Sequence, residues 1–165
     1  MATVHPGRFT ADVSDDLVVF LIGMRVNRIR NVRAWWWVTA QMPRMIKRLM
    51  QEPDLGLLHT EFSIQPRGAL LVQYWRSVED LHHFAQSADE PHLAPWREFN
   101  QKLAGSGKVG VWHETYLTGP GRAEAVYSDM PEFGLARATS HVPVGQVGNR
   151  AAQRLARPAR QPASR

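Results

Sequence analysis

The chain has 165 residues, enough for one domain with a buried core, and no cysteine, which excludes a disulfide framework, a thiolate metal site and a thiol nucleophile. Its formal net charge of +5 is unevenly placed: residues 136–165 carry six arginines (Arg137, Arg150, Arg154, Arg157, Arg160, Arg165) and no acid, leaving fourteen basic against 15 acidic side chains elsewhere. The apolar run Leu17–Met24 is too short to cross a bilayer and the first residues lack a secretory pattern, so a cytoplasmic protein without a membrane partner is expected.

Residues 1–15 are polar and read as a flexible N-terminus. Leu17–Val26 is apolar almost throughout, as in a strand covered on both faces. Near its end Gly23, Arg25 and Asn27 share one face. A roomy patch with two donors suits a small molecule's oxygens; equally, Arg25 and Asn27 are a strand edge meeting water.

Asn31–Glu52 has the period of a helix, with an apolar stripe of Trp35, Val38, Met42, Met45 and Leu49. Pro43 predicts a kink in it. Trp36 starts a second row, and Trp and Met beside a kink can line an apolar ligand site or simply pack. Leu57–Ile64 alternates as a half-buried strand, with His59, Glu61 and Ser63 opposed to Leu58, Thr60, Phe62 and Ile64. A turn at Pro66–Gly68 joins it to a strand at Ala69–Arg76, rich in β-branched and aromatic residues.

Ser77 has the chemistry of a helix N-cap, with Asp80 three residues on as a weak capping-box partner. Leu81, Phe84 and Ala85 then fall on one helical face. Pro91 breaks the helix, and a second helical piece carries His92, Trp96 and Phe99. Lys108–Leu117 is the last long strand; His113 shares a face with Val109, Val111 and Thr115, opposite Trp112, Glu114 and Tyr116. Glu124–Tyr127 predicts a short extra strand, and order is expected to end near Leu135.

The expected organisation is a flexible segment at 1–15, an α+β domain at 16–135 and a basic disordered tail at 136–165. The tail is rich in Ala, Pro, Gln and Arg and poor in aromatic residues, so burial is not expected to offset its ordering entropy. Without aromatic residues to stack on bases it predicts no specific nucleic-acid partner. Metal is set aside, because no HxH, HxxxH or HExxH spacing occurs. No Gly-rich phosphate loop, dinucleotide fingerprint or GxSxG elbow is present either.

The order β-α-β-β-α-β is that of a ferredoxin-like sandwich. Apolar residues on both faces of the first strand require cover on the second face, and a homodimer packed sheet to sheet supplies it. The motifs GMRVN at 23–27, QYWRS at 73–77, the His92–Trp96–Asn100 piece, HETY at 113–116 and MPEFGL at 130–135 resemble dimeric α/β-barrel proteins of the antibiotic-biosynthesis-monooxygenase type. More specifically, they resemble a family once labelled a domain of unknown function and later grouped with a fungal monooxygenase of terpenoid biosynthesis. The match spans about residues 15–140.

The resemblance implies a ferredoxin-like dimer with a pocket between sheet and helices. It also implies oxygen-dependent chemistry on a small hydrophobic metabolite, without metal or flavin. In that reading His92 or His113 is the base, Arg25 stabilises charge with Asn27 as a donor, and Trp36, Trp75, Trp96 and Trp112 form a dry wall. If His113 faces the pocket, Glu61 or His59 can join it, and Phe84 lines the same space. The superfamily also contains haem-degrading enzymes, so haem is the alternative cofactor. There His92 lies near the ligand position and Asn27 near that of an asparagine, while Phe84 replaces a tryptophan. A second alternative from another class is a non-catalytic dimer that binds a small apolar ligand.

Overall fold

The computed structural model describes residues 2–32, 35–36, 52–86, 101 and 105–157. Its strands are β1 (His5–Ala11), β2 (Leu17–Val26), β3 (Leu57–Gln65), β4 (Gly68–Trp75), β5 (Val109–Thr118), β6 (Tyr127–Met130) and β7 (His141–Pro143). The helices are α1 (Val78–Gln86), α2 (Gly134–Ala138), α3 (Val144–Val147) and α4 (Ala151–Leu155). The fold is α+β, with two antiparallel sheets.

The main sheet has the order β3-β4-β2-β5. Counting from β2, the second, third, first and fourth strands lie side by side, which is the ferredoxin-like order. Strand β2 is hydrogen-bonded on both edges, from Val18↔Trp75 to Arg25↔Gly68 with β4 and from Leu17↔Thr118 to Val26↔Val109 with β5. A strand so enclosed has no edge to expose, which suits its continuous apolar run.

Cross-strand partners project to the same face. On one face Val18 and Trp75 pack with Leu81 and Phe84 of α1. The Trp75 side chain is 1% exposed, and its indole N–H donates to Gln73 Oε1 at 3.1 Å, so neither buried polar group is left without a partner. Helix α1 starts as its sequence indicates: the backbone N–H of Asp80 donates to Ser77 Oγ at 3.0 Å. The Asp80 carboxylate turns instead to Arg76, accepting from its guanidinium at 2.9 and 3.1 Å. That hydrogen-bonded pairing lowers the Asp80 pKa and raises that of Arg76.

The second face of β2 is covered in a way the sequence reading does not anticipate. Leu17 clusters with Ala11, Tyr127, Leu135 and Ala136, and Val19 and Tyr74 pack against that cluster. These partners come from a smaller sheet of order β6-β1-β7 and from α2. The expected flexible segment at 1–15 therefore contains a strand, β1, registered as Phe9↔Tyr127 and Ala11↔His141. The expected disordered tail is structured through residue 157, with α3 and α4 following β7.

Pairing explains the difference. Arg154 is buried, donating to Glu124 and, at 2.7 Å, to the carbonyl of Gly148, while Arg157 bonds Asp12 at 2.9 Å. Composition counts the arginines of a segment but does not reveal acids contributed from elsewhere in the chain. The short strand expected at Glu124–Tyr127 is instead Tyr127–Met130. Most of the helix expected at Asn31–Glu52, its kink at Pro43 and the helical piece with His92 and Trp96 lie outside the described residues.

Trp75→Ala removes the largest fully buried side chain of the α1-facing core. It is expected to cost about 3–5 kcal/mol, read as a lower urea midpoint with an unchanged m-value.

Candidate functional site

The register of the main sheet sorts the candidate residues onto two faces. Glu61 pairs with Val72, which pairs with Leu21, and Trp112 pairs with Gly23, so these side chains share the face that carries Tyr74. Arg25 is on the same face, at the far end of β2, and is exposed. His113 pairs with Ile22 and stands on the opposite face, its ring 5.6 Å from that of Phe20. Trp75 and Phe84 are on that opposite face too, buried against each other with ring centroids 5.5 Å apart. The structure thus separates Arg25 and Trp112 from His113, and makes Trp75 and Phe84 core residues.

Asn27 follows β2. Its backbone N–H donates to Lys108 at 3.0 Å and its carbonyl accepts from Arg67 at 2.6 Å, so its backbone helps close the end of the sheet. Trp36 is exposed. The room expected beside Gly23 is filled: a Cβ there would stand 2.6 Å from the Trp112 indole. His92 and Trp96 lie outside the described residues.

On the Tyr74 face, between the main sheet and the 122–125 segment, runs an open cleft of about 470 Å³. Val19 and Leu135 give it an apolar floor, and Tyr74, Tyr116, Tyr127 and Arg122 bring polar groups to it. These are all three tyrosines of the chain. Arg122 is held there by the Asp16 carboxylate.

Beside the cleft, His59 and Glu61 form a largely buried pair, Nε2 to Oε1 at 2.7 Å. The imidazole stacks on Tyr74, with centroids 6.4 Å apart and ring planes 17° from parallel. Glu61 Oε1 also accepts from the backbone N–H of Gly134 at 3.0 Å, fastening α2 to β3. Gly134 has φ +55°, and a Cβ on it would lie 3.1 Å from the Tyr74 hydroxyl, so glycine answers both a backbone and a space requirement. Tyr127 Oη accepts from the N–H of Ala136 at 3.2 Å.

Every phenol of this group is held in its neutral form. Burial, then the neighbouring Tyr127 and Glu61, push Tyr74 up to about 12. Burial also raises Tyr127, with Glu61 adding to it. Tyr116 is raised by the hydrogen bond it donates to Glu114. Neutral phenols at pH 7 are hydrogen-bond donors; the Tyr116 proton is taken by Glu114, and Tyr74 and Tyr127 can hold a developing oxyanion at the edge of an apolar floor.

Sequence reading places His59 and Glu61 together by their alternation. It misses Tyr74 as a partner, although the hairpin register His59↔Tyr74 extends the same alternation across the turn. Tyr127 carries no such local signal; it reaches the site through the smaller sheet.

Residues 17–135 match the family described as Monooxygenase af470-like, and the chain belongs to that family. A curated relative, Monooxygenase af470 of Aspergillus fumigatus, is 29% identical over 158 residues, covering 83% of this chain and 56% of that protein. The chain therefore spans little more than half the length of the relative it matches. Among solved structures, SnoaB, a cofactor-independent oxygenase from Streptomyces nogalater, is 12% identical over 61% of this chain and 91% of its own, with a TM-score of 0.42. Protein SO0527 from Shewanella oneidensis is 11% identical over 78% of this chain and all of its own (100%), with a TM-score of 0.41. No helix among the described residues is long and apolar enough to cross a membrane.

The tyrosine arrangement predicts a loss of stability in alkali. Below about pH 10 Tyr74 is neutral in folded and unfolded chains alike, and its contribution is intact. Above that, the unfolded chain releases a proton that the folded one keeps, so stability falls as pH rises toward about 12. Urea midpoints measured at rising pH should drop across this window, and drop less in Tyr74→Phe.

Proposed function

We propose that the protein is a monooxygenase of a small hydrophobic substrate bearing an acidic hydroxyl, bound in the tyrosine-lined cleft. The observation that carries this reading is the family match over residues 17–135. The cleft supports it by chemistry: an apolar floor of Val19 and Leu135 for a carbon skeleton, and neutral phenols of Tyr74 and Tyr127 beside it. The acidic hydroxyl gives up its proton to solvent and these donors stabilise the anion, while Arg122, paired with Asp16, lies on the same wall.

The electron-rich anion then reacts with O2 directly. One oxygen atom enters the substrate as a carbonyl at a CH2 position and the other leaves as water, all reducing electrons coming from the substrate. In this reading the protein supplies binding, orientation and charge stabilisation, and neither haem nor flavin takes part. The sequence-derived set of Arg25 and Glu61 shares the sheet face of this cleft without lining it, and His113 serves no step of it.

The test is oxygen uptake by the purified chain against a panel of apolar molecules with acidic hydroxyls, using ¹⁸O2 and mass spectrometry. One ¹⁸O per product molecule is expected, in the presence of a chelator and without added haemin. Tyr74→Phe, with unchanged circular dichroism, should lower kcat/KM at least tenfold, about 1.4 kcal/mol. Full turnover in that variant would remove the cleft from the chemistry.

The reading includes a homodimer. The small sheet and α2 cover one end of the Tyr74 face, while Trp112 at the other end is 37% exposed and lies over Gly23, whose partner on β4 is Leu70. A second copy on that end would bury it. Sedimentation equilibrium should give twice the chain mass, and Trp112→Glu should shift the equilibrium toward monomer.

A further inference from the structure

The smaller sheet gathers three metal-ligating side chains from distant parts of the chain. His5 opens β1, His141 opens β7, and Glu132 lies between β6 and α2. One ligand atom from each lies within 4.8 Å of the other two. We infer that His5, Glu132 and His141 form a binding site for a borderline divalent transition-metal ion of the Zn²⁺ class.

The two imidazoles are held in place by aromatic packing. Phe9 stacks on His141 with centroids 4.4 Å apart and planes 13° from parallel. Tyr127 meets the same imidazole edge-on at 6.0 Å. His5 lies edge-on to Phe9 at 5.7 Å and to His141 at 4.9 Å. Rings clamped in this way lose little further freedom on ligation.

His141 Nε2 is buried and makes no hydrogen bond. A buried ring nitrogen without a partner is costly, and a cation offers it one.

Two imidazoles and one carboxylate favour Zn²⁺, Fe²⁺ or Co²⁺ over the harder Mg²⁺ and Ca²⁺. Bonds of about 2.0–2.1 Å set tetrahedral ligand atoms roughly 3.3 Å apart. Atoms within 4.8 Å therefore need to draw in by about 1.5 Å at most, a side-chain adjustment. Bound there, the ion would tie β1, β7 and the segment before α2 into one unit. Tyr127 stands between this site and the cleft, touching His141 and lining the cleft wall. No step of the proposed oxidation runs through the metal.

The experiment uses the full chain, free of any affinity tag and stripped of metal. Zn²⁺ is titrated by calorimetry and Co²⁺ by its visible absorption, with Mg²⁺ as a control. One equivalent of Zn²⁺ is expected, together with Co²⁺ d–d bands and a higher melting temperature in Zn²⁺. Glu132→Gln keeps the aromatic packing and should weaken Zn²⁺ at least tenfold; His5→Ala should abolish stoichiometric binding. His82→Ala, on the exposed side of α1, should leave it unchanged. Absence of stoichiometric Zn²⁺ binding, or binding untouched by both Glu132→Gln and His5→Ala, overturns the proposal.

Discussion

Strand β2 is apolar on both faces and paired along both edges, and the rest of the fold answers that constraint. Apolar surface left in water costs about 25 cal/mol per Å², so each face needs its own cover. Helix α1 and Trp75 supply one cover over Val18. The other comes from a second sheet assembled from both ends of the described chain, which packs over Leu17 and Val19. Among the described residues that cover lies over Leu17 and Val19, and the cleft is lined from both the main sheet and this cover.

The junction between the layers is polar as well as apolar, and it is there that chemistry becomes available. Glu61 accepts from both His59 and the Gly134 backbone, so one carboxylate orients an imidazole and anchors α2. Its charge beside Tyr74 also helps keep that phenol protonated. A group that fastens two layers thereby tunes the donor that faces the cleft. Fold and proposed function depend on the same few side chains, which is economical but leaves little freedom to vary them independently.

The smaller sheet follows the same logic at its outer edge. Its short strands bury little on their own, and their attachment relies on Thr10, which donates to the Ala125 carbonyl at 2.7 Å, and on the ion pairs Arg154–Glu124 and Arg157–Asp12. A metal joining His5, Glu132 and His141 would add a further tie where the strands are shortest.

The amino-acid sequence by itself determined what is local. A continuous apolar run marked β2, alternation marked β3 and β5, β-branched and aromatic composition marked β4, Ser77 marked the start of α1, and the element order together with the family motifs pointed to a ferredoxin-like α+β fold. Alternation along β3 also set His59 beside Glu61. Tertiary structure alone decided which faces these residues share: the register of β5 on β2 sends His113 away from Arg25, and Trp112 fills the room beside Gly23. It also decided that residues 5–11 and 141–143 pair, joining the two ends of the described chain. That pairing brings together His5, Glu132 and His141, ligands that no spacing rule could connect. The reason is physical: periodicity and capping act over a few residues, whereas cross-strand register and ion pairing act between segments whose separation along the chain carries no information about their distance in space.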